Sequence, residues 1–323
     1  MHITSRLLAI FALAMWACTP TAAGSNEDSP EWAYPVNPPD LKPVSDDGSI
    51  RRVPESDLGL TWSQVSNPFL APDWHPEAHE PMPLVVASGS RPNALACGYC
   101  HRAEGTGGPE NASLAGLPAA DIIQPLADYK SGARSTAMPS RAPQAFMIKA
   151  ARAVSDDDVR AAALYFSQLK PRANIHVVEN DSAPRTYVAG WFLAVSLPSR
   201  QESLGSRIVE VPDDLARFES RDTRVTFTAY VPRGSVDAGR IIVSGQAADK
   251  APACSTCHGP DLHGVDAIPA IAGRSPSYIF RQLHEFKTGA RAGVNSASMK
   301  DTVARLDERD MIAIASYLAT LKP

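Results

Sequence analysis

Two pentapeptides carry most of the chemistry legible in this chain, Cys97-Gly-Tyr-Cys100-His101 and Cys254-Ser-Thr-Cys257-His258. Two thiols separated by two residues can cycle as a dithiol, hold half of a zinc site, or bind a haem covalently. The His behind each pair separates these uses. When two thiols add to the two vinyl groups on one haem edge, one turn of backbone spans that edge. The next residue then presents its imidazole to the iron as proximal ligand. A dithiol redox motif needs no His there and usually sits at a βα junction, for which the sequence has no pattern. A zinc site would draw all four thiols together, yet 154 residues separate Cys100 from Cys254, and each pair brings its own His. The motifs therefore predict two covalent haem c groups. Cys97 and Cys100 attach one and Cys254 and Cys257 the other, with His101 and His258 as iron ligands.

A repeat supports two equivalent units. Cys97–Arg134 aligns without a gap on Cys254–Arg291, with 12 identities over 38 positions, nine of them outside the motifs. They include Ala115-Gly116 with Ala272-Gly273, and the Gly-Ala-Arg that ends each copy at Arg134 and Arg291. Self-similarity at this length marks a tandem array. Helical spacing predicts a middle helix over 119–131 and 276–288, with Ile122, Leu126 and Tyr129 matched by Ile279, Leu283 and Phe286. Pro125 removes an intrahelical bond and should kink or shorten the first of these. Each copy closes on a terminal helix whose start is marked by Ser155 or Asp307, with Tyr165 and Tyr317 at matching places as core aromatics.

The rest of the chain of 323 residues is organised around these units. A hydrophobic content of 44% allows two domains with cores of their own, and a net charge of −4 with pI near 6.1 offers no basic surface for nucleic acid. The first 23 residues have a lone Arg6, an apolar run from Leu7 to Ala17 and a small polar tail, the layout of an export signal too short to span a bilayer. Cys18 ends that run and makes the thiol count odd. It stands where a lipoprotein's acylated Cys would stand, while cleavage after Ala23 would remove it instead. Residues 24–82 form a Pro-rich arm with too many aromatics for pure disorder. His75 and His79 in this arm are read as surface residues, since Pro76 opposes a helix that would aim both at one metal. Residues 172–237 alternate β-branched and aromatic residues between Pro, Gly and Asp turns, predicting three or four strands.

With these segments in place, 83–171 and 238–323 resemble class I cytochrome c domains, and the whole chain resembles a dihaem c-type cytochrome of the bacterial periplasm. The resemblance rests on both Cys-x-x-Cys-His motifs, the Ala-Gly turn, the Gly-Ala-Arg segment and the terminal helix. It implies an α fold with three or four helices round each haem, so that the chain as a whole reads as mainly α, with 172–237 as a small β-rich connector between the two domains and the Pro-rich arm ahead of them. It further implies a Met on the far face of each iron and a Pro carbonyl against the free nitrogen of each proximal His. Pro269 stands at that place in the second copy; the first has Ala112, which leaves the contact there open.

Met299 stands between the Gly-Ala-Arg segment and the final helix, whereas Met311 falls on that helix's apolar face. In the first copy Met147 and Met138 compete. Met147 lies seven residues before Val154, as Met299 lies seven before Leu306, and a ligand should keep its offset from the helix beside it. Met147 is thus the assigned ligand and Met138 the alternative. Six-coordinate iron suits one-electron exchange, and Met ligation raises its potential over His ligation. The reading is an exported electron carrier between a periplasmic donor, such as a dehydrogenase, and a respiratory acceptor such as a terminal oxidase or another cytochrome. The alternatives are a haem enzyme such as a dihaem peroxidase, or the cytochrome subunit of a larger dehydrogenase complex.

Overall fold

The computed structural model describes residues 29–42 and 44–323; the expected export signal of residues 1–23, with Cys18, lies outside the described residues. Twelve α-helices occur among them: α1 Trp62–Val65, α2 Leu84–Ala87, α3 Cys97–His101, α4 Ala119–Ser131, α5 Ala142–Ala153, α6 Asp156–Gln168, α7 Leu215–Glu219, α8 Ser235–Val243, α9 Ser255–His258, α10 Pro276–Thr288, α11 Ala297–Val303 and α12 Glu308–Thr320. Five of them (α2–α6) build the first cytochrome unit and five (α8–α12) the second, so each unit has more helices than the three or four expected. The additional ones are short turns and the segments that carry Met147 and Met299. None is long and apolar enough to cross a membrane.

Short-range signals explain the principal helices. Ser155 caps α6 by accepting the Asp158 N–H, and Asp307 and Asp310 form a reciprocal capping box on α12. Ser275 accepts the Tyr278 N–H at the start of α10, whose first residue is Pro276. The middle helices end in left-handed Gly132 and Gly289. The helix α4 keeps its full length through Pro125, so it is not shortened there. The Ala-Gly repeat has a steric reason: Gly116 and Gly273 have φ of +70° and +64°, and a Cβ would lie 2.7 Å from Pro171 or 2.5 Å from Pro323. Their N–H groups donate to the carbonyls of Phe166 and Leu318, tying each turn to its terminal helix.

The connector has more strands than the sequence suggests. Strands β1 Ile175–Glu179, β2 Ser182–Pro184, β3 Thr186–Ala189, β4 Phe192–Val195, β5 Gln201–Ser203, β6 Val209–Pro212 and β7 Phe227–Val231 form three small sheets. In the largest, β7 lies between β1 (parallel) and β6 (antiparallel). Several are only three or four residues long, and runs that short carry little alternation to read. Ile208 and Val231 of the connector, with Ala33 and Tyr34 of the arm, join the core of the second unit around Phe280, Leu306 and Ile314.

The arm is held by hydrophobic contacts and by a buried hydrogen bond between His75 and Asp222. Val53, Val65 and Trp74 form a core of their own, and the Trp74 indole N–H donates to Ser220 O at 2.7 Å. His75 is 1% exposed and meets Asp222 at 2.9 Å, while His79 contacts Asp73 at 3.2 Å and Tyr165 at 3.0 Å. Neither is the surface residue expected, because each found a carboxylate partner that the sequence does not reveal. Among the described residues no cluster of His, Cys, Asp or Glu could hold a metal ion. Burial would raise the Asp222 pKa, but hydrogen bonds from the Arg224 N–H, Arg217 and His75 outweigh it and hold the pKa below 3.8. The contribution of this carboxylate is therefore complete above the unfolded value and is lost as pH falls below about 4. Asp222→Ala should cost about 3 kcal/mol by leaving charged partners buried and unpaired. An unchanged thermal midpoint would remove this pair from the forces holding the arm.

Candidate functional site

The two motifs occupy one helical turn each, α3 and α9, so both thiols and the imidazole project from a single short element. A left-handed residue follows each His at once, Arg102 with φ of 67° and Gly259 with φ of 82°, and turns the chain away. An arginine is held there because its guanidinium is buried, donating to Gly107 O and Asp222 O and lying 4.9 Å from the Phe218 ring centroid.

The chain then returns beneath each His. His101 Nδ1 lies 2.8 Å from Ala112 O, and His258 Nδ1 lies 2.8 Å from Pro269 O. Ala112 thus makes the contact left open by the missing Pro, since a backbone carbonyl accepts the bond whatever side chain it carries. Donation through Nδ1 fixes the tautomer and leaves Nε2 as the basic nitrogen. Burial lowers both imidazole pKa values, which keeps the rings neutral as an iron ligand requires. Burial also pushes the Cys97 thiol up to about 12 and Cys254 to about 11, opposite to the activated thiolate of a dithiol redox site.

Both motifs open into one cavity of about 1370 Å³ that runs between the units. Its first end is lined by Cys97, Cys100, His101, Leu126, Met147 and Phe166, its second by Cys254, Cys257, His258, Leu283, Met299 and Leu306. Met147 sits within α5 and Met299 within α11, two helices in the same place before the terminal helix. Met138 instead packs against the hydrophobic core of the second unit and does not line the cavity. Met311 is buried in that core.

Where the units meet, the two Gly-Ala-Arg segments pair with each other. Arg134 and Arg291 form an antiparallel bridge, with Ser135 N–H donating to Ala290 O and Ala292 N–H to Ala133 O. Gln282 Oε1 accepts from both guanidiniums, at 2.7 Å and 3.0 Å, and each guanidinium stacks on its own unit's aromatic ring, Tyr129 or Phe286. Glu285 is buried beside them, and burial raises its pKa against the pull of Arg134, Arg291 and Arg281. Gln282 and Glu285 fall in the repeat where the first copy has Pro125 and Asp128, so nothing marked them as a junction in advance.

The residues present fit two covalently attached haem groups. Each end of the cavity supplies two thiols and an imidazole with a free Nε2, in walls that are mostly apolar. Around the middle, Arg134 and Arg274 keep buried Nε–H groups with no protein acceptor, which suits the anionic propionate edge of the group.

Comparison with known proteins agrees with this geometry. The family profile described as Cytochrome c matches residues 86–170 and 242–322, which is 85 + 81 of the 323 residues, just over half. A cytochrome c4 of Azotobacter vinelandii is 31% identical over 137 residues, covering 38% of this chain and 65% of that protein, just under two thirds of its length. A thiosulfate dehydrogenase electron acceptor of Thiomonas intermedia is 27% identical over 231 residues, covering 71% of this chain and 79% of that protein. Among solved structures, a thiosulfate dehydrogenase from Marichromatium purpuratum gives a TM-score of 0.48 at 27% identity, over 71% of this chain and 37% of that one. Two matched units, each with its own thiol pair and proximal His, place this chain in the cytochrome c family as a mainly α dihaem c-type cytochrome with two covalently bound haem c groups.

Proposed function

We propose that the protein is an exported periplasmic electron carrier, passing single electrons between a donor such as a dehydrogenase and a respiratory acceptor. In this reading residues 83–171 and 238–323 are the two carrier domains, linked by the connector of 172–237 and overlaid by the arm of 24–82. His101 and Met147 would hold the iron of the first group, and His258 and Met299 that of the second. The observation that supports the proposal is that both thiol pairs, both imidazoles and the thioethers of Met147 and Met299 line one cavity. When bound, haem iron held by an imidazole and a thioether would supply one-electron exchange and leave no open place for a substrate.

The chain's own residues contribute orientation and electrostatics. Ala112 O and Pro269 O hold the imidazoles in one tautomer, the Arg134–Gln282–Arg291 junction fixes the two units against each other, and the apolar walls exclude water. The relative from Thiomonas intermedia is named an electron acceptor of a thiosulfate dehydrogenase, which supports a dehydrogenase as donor. The reduced holoprotein should show no spectral change under carbon monoxide at neutral pH. Ligand binding at either site would replace the carrier by a haem enzyme.

A further inference from the structure

The two cavity ends are repeats of one unit, yet their outer edges differ sharply in exposure. From Cys97 to Ser113 no residue is exposed, whereas over the equivalent Cys254–Ala270 Cys257 itself is exposed along with most of the loop that follows. The first edge is closed by two segments that the second lacks. Tyr99 OH donates to Ser66 O of the arm, and the Arg221 guanidinium of the connector lies 3.7 Å from the Tyr99 ring centroid while donating to Tyr99 O. Glu104 is tied to Arg172 and Thr223. Its repeat equivalent Asp261 is exposed and takes part in no ion pair among the described residues.

The open edge has the composition of a docking surface. Val265 (46% exposed) and Ile268 (37% exposed) flank it, and Val294 (86% exposed) stands on the loop leading to Met299. Asp261 and Asp266 are exposed on the same loop, and no Lys or Arg occurs anywhere between residues 251 and 273. An apolar centre with acidic groups at its rim fits a partner whose own redox edge is apolar and ringed by Lys or Arg.

We propose that the surface around Cys257, formed by Val265, Ile268 and Val294 with Asp261 and Asp266, is the single port through which this protein exchanges electrons with a basic redox protein, and that the first site communicates with partners through the second. This rests on the carrier reading above. It makes the chain a two-electron reservoir with one entrance, not a wire with an entrance at each end. Each encounter moves one electron from the reduced partner to the oxidised second site. The shared cavity then lets the electron pass on to the first site, with no proton or group transferred.

The test uses the full-length holoprotein and a reduced, lysine-ringed monohaem cytochrome c as probe, followed by stopped-flow absorbance. Ile268→Lys with Val265→Lys, which sets like charge against the probe, should slow the second-order phase at least tenfold while leaving both reduction potentials and the spectra unchanged. Asp261→Asn with Asp266→Asn should flatten the fall of that rate with salt. Reduction of the first site should follow as a phase independent of probe concentration. A rate within twofold of the parent in the Ile268 and Val265 variant overturns the proposal. So does a tenfold loss in Val44→Lys, at an exposed arm residue that lines the cavity with Trp62 and Ser66, that the second-site variant does not show. Failure of the carrier reading looks different: the unaltered protein would exchange no electrons with the probe and would bind carbon monoxide.

Discussion

Met147→Ala should abolish the Met–iron charge-transfer band of the first site and lower its potential by on the order of 0.1–0.3 V, a sizeable part of the roughly 0.8 V that axial ligands command. The thioether on α5 lines the cavity with His101, and among the described residues the other Met that does so is Met299 of the second unit. Met138→Ala should leave the band and the potential in place. Its side chain packs with Ala137 against the core of the second unit, so its loss is felt as stability, by about 1–2 kcal/mol for a partly buried Met. The two variants separate ligation from packing because one readout is spectroscopic and the other thermal. A first-site band that survives Met147→Ala and disappears in Met138→Ala reverses the assignment. Met299→Ala should repeat the first result at the second site.

The second large effect is expected at Gly239, where α8 crosses α12. A Cβ there would lie 1.9 Å from Ala313 O and 2.8 Å from Tyr317 Cβ, and the nearest atom belongs to backbone, which cannot rotate aside. Alanine in a helix interior is worth about 1 kcal/mol over glycine. That gain is too small, since forcing two packed helices apart costs typically about 1–3 kcal/mol and more where backbone is struck. Gly239→Ala should therefore destabilise the second unit by a net of about 2 kcal/mol, a drop of roughly 8–15 °C in its thermal midpoint. Ile241→Ala on the exposed side of the same helix should move it far less, since Ile241 is 39% exposed. A Gly239→Ala protein as stable as its parent would show that the two helices do not cross this closely in solution.

The sequence by itself determined whatever is written in short-range chemistry. The Cys-x-x-Cys-His spacing places thiols and imidazole on one turn, so haem attachment was legible from five residues at a time. Apolar periodicity and the Ser155, Ser275 and Asp307 caps specify α4, α6, α10 and α12, because caps and amphipathic faces are set by neighbours within a few residues. The constant seven-residue offset singled out Met147, which stands on the helix α5.

The tertiary structure alone decided the features that differ between the two copies. Tyr34 meets His284 across 250 positions, His75 meets Asp222 across 147, and Arg274 reaches Ser113 across 161. No periodicity or motif encodes such pairs, since each partner is an ordinary polar residue until the fold brings the other beside it. The same holds for the Arg134–Gln282–Arg291 junction and for Ala112, whose contact with His101 uses only its backbone. It holds most for the unequal covering of the two sites. Two repeats with the same thiol and imidazole motif are made inequivalent because Ser66 of the arm and Arg221 and Thr223 of the connector close the outer edge of only the first, through contacts too distant in sequence for any local pattern to record.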